Sequence, residues 1–283
     1  MPLSLLIGSY VAGSRVGVGI GPFVFSAQGV DPIVLPTTLL GRHPGWGDPG
    51  GGPTPPALLE GMIQGLADNA ILGRVDAIYT GYFATPEHVH IAADLIDLVR
   101  KARGPSPPLV CVDPVMGDAP GGLYISAAAA DALEARLVSK ATLLTPNAWE
   151  AERLTGVAVT DVETAHRAAK ALGADAVVTS VTHDGVLGAL ASGAEGAAFA
   201  GAPYVSPTPD WRPPYGTGDV LAMMTVARRL HQADLGQAVA DSVGVVAELL
   251  RDAEARRLTE LPVSGHLETF ARPPAPPVFK LRV

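Results

Sequence analysis

Six short apolar runs alternate with helical patterns through the first 180 residues, and this alternation limits the chain to few folds. The runs are Leu3 to Ile7, Pro32 to Leu35, Val75 to Tyr79, Leu109 to Val112, Ala141 to Leu144 and Ala176 to Ser180. Helical spacing is read over Gly19 to Gln28, Ala57 to Ala70, Pro86 to Arg103, Ser126 to Val138, Trp149 to Leu154 and Val162 to Leu172. A strand followed by a helix and another strand folds into a parallel pair with a right-handed crossover. The sequence therefore predicts an α/β protein with a mostly parallel central sheet and helices on both faces. Thr182-His183-Asp184-Gly185 is a tight-turn signal, and Val186 to Ala191 and Ala197 to Ala200 supply an antiparallel edge. Two further helices are expected, at Val220 to His231 and Leu235 to Ala255, as core layers.

A chain of 283 residues with 48% hydrophobic content can bury the core of one large domain spanning 1–283. The net charge of -8, without a Lys/Arg run, argues against nucleic acid and acidic membranes as partners. A single cysteine, Cys111, excludes an internal disulfide and fits a reducing, cytoplasmic setting. It reads as a small core residue. No apolar run is long enough to span a membrane, and Met1 to Ile7 lacks the basic start of a signal peptide. Residues 37–56, containing GRHPGWGDPGGGPTPP, show no periodic pattern and read as a functional lid or a disordered insert. As a lid, residues 41–53 are expected to move in the absence of ligand, and His43 and Trp46 are placed to close over a flat ligand or to pack at the domain edge. The end of the chain from Pro262, including the Pro-rich tail 271–283, is expected at the surface.

Chemistry concentrates at three places. Gly216-Thr217-Gly218-Asp219 combines a tight glycine turn with a helix start, which together present amide N–H groups and a positive dipole end to an anion. Asp219 in that turn reads either as a helix cap or as a base beside a phosphoryl cradle. Asp113 to Asp118, DPVMGD, ends a strand and sets two carboxylates on a loop where they can face a Mg²⁺-bound nucleotide, or simply hold the loop. Glu150 and Glu152 stand in the first turns of a helix, where dipole stabilisation suffices to explain them. Ser9 follows the first strand, at the sheet end where open α/β sheets bind ligands. The glycine-dense stretch from Gly13 to Gly21 lacks the spacing of a dinucleotide loop, and the absence of a G-x-S-x-G elbow removes a hydrolytic role for His183 and Asp184.

DPVMGD at 113–118, GLY at 122–124, TPN with LTG between 145 and 156, VTS at 178–180 and GTGD at 216–219 occur in order at compatible spacing. LPT at 35–37, H-x-G at 43–45, GRVDAIYTGY at 73–82 and ELP at 260–262 extend the pattern. Together they resemble the pyridoxal kinases of the ribokinase-like superfamily, over nearly the whole chain. The resemblance implies a three-layer αβα sandwich that transfers phosphate from ATP to the 5′-hydroxymethyl group of pyridoxal or a related B6 vitamer. It implies Asp219 as the proton acceptor and the amides of Gly216, Thr217 and Gly218 as the anion cradle. Asp113 and Glu150 would organise Mg²⁺, with Asp118 supporting a cation or the phosphates. Tyr124, Thr145, Thr179 and Ser180, with Asp113 and Glu150, match nucleotide-side positions. Ser9, Val16, His43 and Tyr82 match positions around the ring, and Trp46 replaces the lid's aromatic. The family is typically dimeric and often uses K⁺. The helix dipole is expected to keep Asp219 ionised at neutral pH.

The chain departs from that pattern at the acceptor side. Arg42-His43-Pro44-Gly45-Trp46 stands where the family reads N-H-T-G-Y, so Pro44 replaces a threonine hydroxyl. Val16-Gly17-Val18 stands where the family reads V-G-N. Two other readings therefore accompany the first: a kinase for hydroxymethylpyrimidine or a similar heterocycle, and a nucleotide- or vitamer-binding protein with little turnover.

Overall fold

The structure is a computed structural model and describes residues 1–202, 208, 210–274, 276 and 278–280. The surface reading of 275, 277 and 281–283 of the tail lies outside the described residues. In chain order the strands are β1 (Leu3–Val11), β2 (Asp31–Leu40), β3 (Gly51–Pro53), β4 (Ala77–Thr80), β5 (Leu109–Val112), β6 (Gly117–Asp118), β7 (Gly122–Leu123), β8 (Leu143–Leu144), β9 (Asp175–His183), β10 (Val186–Gly193), β11 (Gly196–Gly201) and β12 (Val278–Lys280). The helices are α1 (Gly21–Ala27), α2 (Pro56–Asp68), α3 (Pro86–Arg103), α4 (Ala127–Arg136), α5 (Ala148–Thr155), α6 (Val162–Ala171), α7 (Thr217–Leu230), α8 (Leu235–Ala255) and α9 (Leu267–Ala271).

Ten strands form one sheet in the order β12-β11-β10-β9-β8-β5-β4-β1-β2-β3, while β6 and β7 make a separate small ribbon. The pairs from β2 through β1, β4, β5 and β8 to β9 are parallel. Both ends turn antiparallel, through β3 on one side and β10 to β12 on the other. The expected α/β architecture is thus present. Asp184 and Gly185 take left-handed φ values of 49° and 76° between β9 and β10, as a tight hairpin turn requires.

Alternation along the central strands divides the core. Ala77 and Tyr79 of β4 point into the layer built by α1, α7, α8 and α9, with Leu6, Cys111 and Leu143. Ile78 points the other way, with Leu5, Ile7, Val110 and Val112, against α2, α3 and α4. Cys111 is fully buried, in keeping with a core role.

Three readings need correction. The stretch 37–56 is not structureless: β2 continues to Leu40, β3 folds back on it antiparallel, and Pro56 opens α2. The reason is that β1 runs past Gly8 to Val11 and offers Leu40 a partner, which no local pattern reveals. The chain from 262 onward is not a plain surface tail. Phe270 of α9 is buried, and β12 pairs with β11. Finally, α8 is more than a core layer, because it also walls the cleft described next.

Candidate active site

The sheet carries its functional residues where its parallel strands end, as open α/β sheets do. Asp113 directly follows β5, and Tyr79 lies one residue before the end of β4. The turn Gly216–Asp219 opens α7, which packs on the same side. Gly216 caps α7 at φ 97°, and a Cβ there would lie 2.3 Å from the carbonyl oxygen of Arg15. Only glycine fits, so the turn is wedged against the loop that follows β1.

Asp219 is not a helix cap. Its Oδ2 accepts the backbone N–H of Gly17 at 2.9 Å, and its Oδ1 lies 3.2 Å from the hydroxyl of Tyr79. Tyr79 is fully buried and also reaches Asp113 Oδ2 at 3.0 Å. The phenol thus stands between the two carboxylates and has one proton to donate. The pKa of Asp219 is set by more than the helix dipole. Burial raises it, and the bonds from Gly17 and Tyr79 offset that only in part. Burial also raises Asp113, with the charges of Glu150 and Asp219 adding to the effect. Burial lifts Glu150 to about 7, against the bonds it accepts from Met116, Asn147 and Gly117. Asp113, whose charge Glu150 and Asp219 both disfavour in an all-oxygen setting, marks the kind of place a hard cation relieves.

The DPVMGD loop and α5 are tied together. Glu150 Oε1 accepts the N–H of Met116 at 2.9 Å, and Oε2 accepts that of Asn147 at 2.9 Å. Asn147 Oδ1 in turn accepts the N–H of Glu150, closing a capping box. Glu150 therefore shapes the loop as well as adding charge, so its earlier explanation by the helix dipole alone was too small.

A cleft of about 570 Å³ opens beside this cluster. It is lined by Asp118, Thr179, Ser180, Thr217 and Gly218 among the expected residues. Asn147, Trp149, Leu187 and Leu221, with Val243, Ala247 and Leu250 of α8, add a largely apolar wall that the sequence reading had not assigned. Thr145 does not line it: the residue is buried, and its hydroxyl lies among Asp113 and Cys111. Tyr124 is half exposed. Its hydroxyl pKa is raised by burial first, and then by Glu150, Asp113, Asp118 and Asp219.

On the opposite side of Asp219 lie the end of β1 and the loop after it; Ser9 does not follow the strand, as the sequence suggested, but lies within it, because β1 runs on to Val11 beside β2. Ser9 and Val16 are buried, and the Ser9 carbonyl accepts Val18 N–H at 2.9 Å. Gly17 sits between them at φ 59°, where a Cβ would meet Ser9 O at 2.2 Å. Ser14 Oγ accepts the N–H of His43 at 3.3 Å and so brings the segment 41–53 to this loop. His43 stacks on Tyr215 with centroids 3.9 Å apart, and Trp46 meets Tyr215 edge-on at 6.0 Å. Burial lowers the His43 pKa. Tyr82 is half-buried against the α2–α3–α4 side, and its carbonyl accepts Thr37 Oγ1 at 3.1 Å. Sequence reasoning missed Tyr79, Gly17 and Tyr215. Tyr79 lay inside the quoted run GRVDAIYTGY, where it read only as a strand residue.

A family profile described as phosphomethylpyrimidine kinase matches residues 52–263. The chain belongs to that family. A pyridoxine/pyridoxal/pyridoxamine kinase of Bordetella avium is 32% identical over 277 residues, covering 95% of this chain and 89% of the relative. A pyridoxal kinase of Corynebacterium diphtheriae is 28% identical, covering 95% of each. Among solved structures, the pyridoxal kinase of Leishmania donovani in complex with ADP and pyridoxamine superposes with a TM-score of 0.90 at 27% identity. That match covers 99% of this chain and all of the other. The resemblance to pyridoxal kinases of the ribokinase-like superfamily is therefore shown over the whole length.

Proposed function

We propose that the protein is an ATP-dependent kinase that phosphorylates the 5′-hydroxymethyl group of pyridoxal or a related B6 vitamer, and that residues 1–283 act as one domain. The observation that carries this reading is the seating of Asp219 at the head of α7, between the amide of Gly17 and the hydroxyl of Tyr79 and beside free helix amides. Full-length similarity to B6 kinases names the acceptor.

In this account the substrate hydroxyl gives its proton to Asp219 as its oxygen bonds to the γ-phosphorus. The bond from that phosphorus to the bridging oxygen breaks, and ADP leaves. A raised pKa suits Asp219 to accept that proton. The amides of Gly216, Thr217 and Gly218 face the transferring group, where they stabilise charge as it moves. Thr217 and Gly218 lie at the cleft, whose apolar wall from α8 suits a nucleobase. Ser9, Val16, His43 and Trp46 shape the acceptor side.

The residues present fit Mg²⁺, because Asp113, Glu150 and Asp118 offer only oxygen and the first two repel charge in a buried place. Among the described residues no three such side chains enclose a metal alone, so a cation here would share phosphate oxygens and water. When bound, Mg²⁺ supplies neutralisation of the phosphates. K⁺ belongs to the same reading, supported by the resemblance. So does a homodimer, for which exposed Leu39, Leu58 and Met62 on β2 and α2 supply apolar surface. A cytoplasmic location accords with the lone buried thiol and with the absence, among the described residues, of any helix long and apolar enough to cross a membrane.

The family profile's description keeps a pyrimidine acceptor as the second reading. Purified protein with Mg-ATP and a panel of B6 vitamers and hydroxymethylpyrimidine separates them. Phosphorylated pyridoxal, pyridoxine or pyridoxamine is expected. Product from the pyrimidine alone would replace the first reading with the second, and binding without product would leave a non-catalytic protein.

A further inference from the structure

Three aromatic rings meet at the acceptor side, and the central one, Tyr215, belongs to none of the motifs that carry the family resemblance. Its ring lies parallel to His43 at 3.9 Å and 18°, and perpendicular to Trp46 at 6.0 Å and 79°. These are the two favourable aromatic geometries. Both ends of the stack are fixed from beneath. His43 is held through Ser14, and its Nδ1 accepts the N–H of Gly45 at 3.0 Å. Tyr215 directly precedes Gly216, which is wedged against Arg15. The approach is close enough that a Cβ at Gly45 would lie 2.6 Å from the Tyr215 hydroxyl. Yet Tyr215 is 42% exposed and Trp46 41%, so the cluster is not core packing. It leaves aromatic surface open on the turn that leads into Asp219, and such surface suits a flat ligand.

We infer that Tyr215 is a positioning residue that holds the lid's His43 and Trp46 as one aromatic wall, and so sets how tightly a flat heteroaromatic acceptor is bound. A 3.9 Å separation leaves no room for a ring between His43 and Tyr215, so the substrate meets the trio from outside. This inference rests on the kinase reading for the identity of the acceptor, but the coupling of lid to turn does not depend on it.

The test uses the full chain as Tyr215→Ala, Gly45→Ala, their double variant and Tyr215→Phe. It reads the KM for pyridoxal, the KM for ATP, kcat, and the rate of trypsin cleavage after Arg42 in the lid. Each alanine variant is expected to raise the pyridoxal KM by about 3- to 10-fold and to speed cleavage, while ATP KM changes less than about 2-fold. The double variant should be no worse than the more impaired single, because both disturb one packing contact between the lid and Tyr215. Tyr215→Phe keeps the ring and should behave as the parent. An unchanged pyridoxal KM in Tyr215→Ala, multiplied effects in the double variant, or losses confined to kcat and ATP KM would overturn the inference. A parent protein that phosphorylates no B6 vitamer would instead defeat the kinase reading. The latch would then be judged by cleavage alone: faster cleavage in both alanine variants upholds it, and unchanged cleavage overturns it.

Discussion

The hydroxyl of Tyr79 lies 3.2 Å from Oδ1 of Asp219, across 140 positions of sequence, and 3.0 Å from Asp113. A phenol in that place orients the base and separates it from the acid on the phosphate side. Tyr79→Phe removes the hydroxyl and keeps the ring that fills the core. We expect kcat to fall by about 10-fold, as losing one hydrogen bond to a charged group implies, with KM for ATP little changed. Steady-state kinetics against both substrates checks this, and an unchanged kcat would show that Gly17 alone positions Asp219.

Gly17 supplies the other contact to Asp219. Gly17→Ala puts a Cβ into Ser9 at a left-handed φ of 59°. The loop must then shift, at a cost of about 1–3 kcal/mol, and its amide moves off Asp219. Denaturant unfolding should show the lost stability, and turnover should fall by more than the fraction unfolded explains.

These contacts mark what the sequence could not show. GTGD, DPVMGD and the helix starts at Pro86 and Ser126 were legible because each is set by neighbours a few residues apart. Tyr79, Gly17 and Tyr215 act through partners 140, 202 and 172 positions away, and their residue types are equally at home in a strand or a turn. The strands within residues 37–56 were missed for a related reason. Leu40 is a strand residue because Val11 lies beside it, and Gly51 to Pro53 because β2 does. The rise in the Asp219 pKa was not legible, because the helix dipole is visible in sequence, whereas burial is not.

Stability should depend on pH through the acid cluster. Glu150 has a folded pKa of about 7 against 4.5 for the free side chain, and Asp113 and Asp219 are displaced in the same direction. Between the free and folded values the native state binds more protons than the unfolded chain, so stability falls as pH rises. For Glu150 that window is about pH 4.5 to 7. The protein without nucleotide should therefore melt higher at pH 6 than at pH 8. Mg-ATP should shrink that difference by neutralising the cluster. Thermal melts with and without Mg-ATP at both values check it, and a higher melt at pH 8 in the free protein would refute it.

The central claim is that Asp219 takes the proton from the acceptor hydroxyl, and turnover in Asp219→Asn beside nucleotide affinity tests it most directly. Asparagine keeps the shape and an oxygen for Gly17, but it cannot accept that proton. The account predicts a kcat reduced by at least about 100-fold, the usual scale of a positioned base, with ATP binding by calorimetry within about 3-fold of the parent. Turnover near that of the parent, with ATP bound as before, would contradict it.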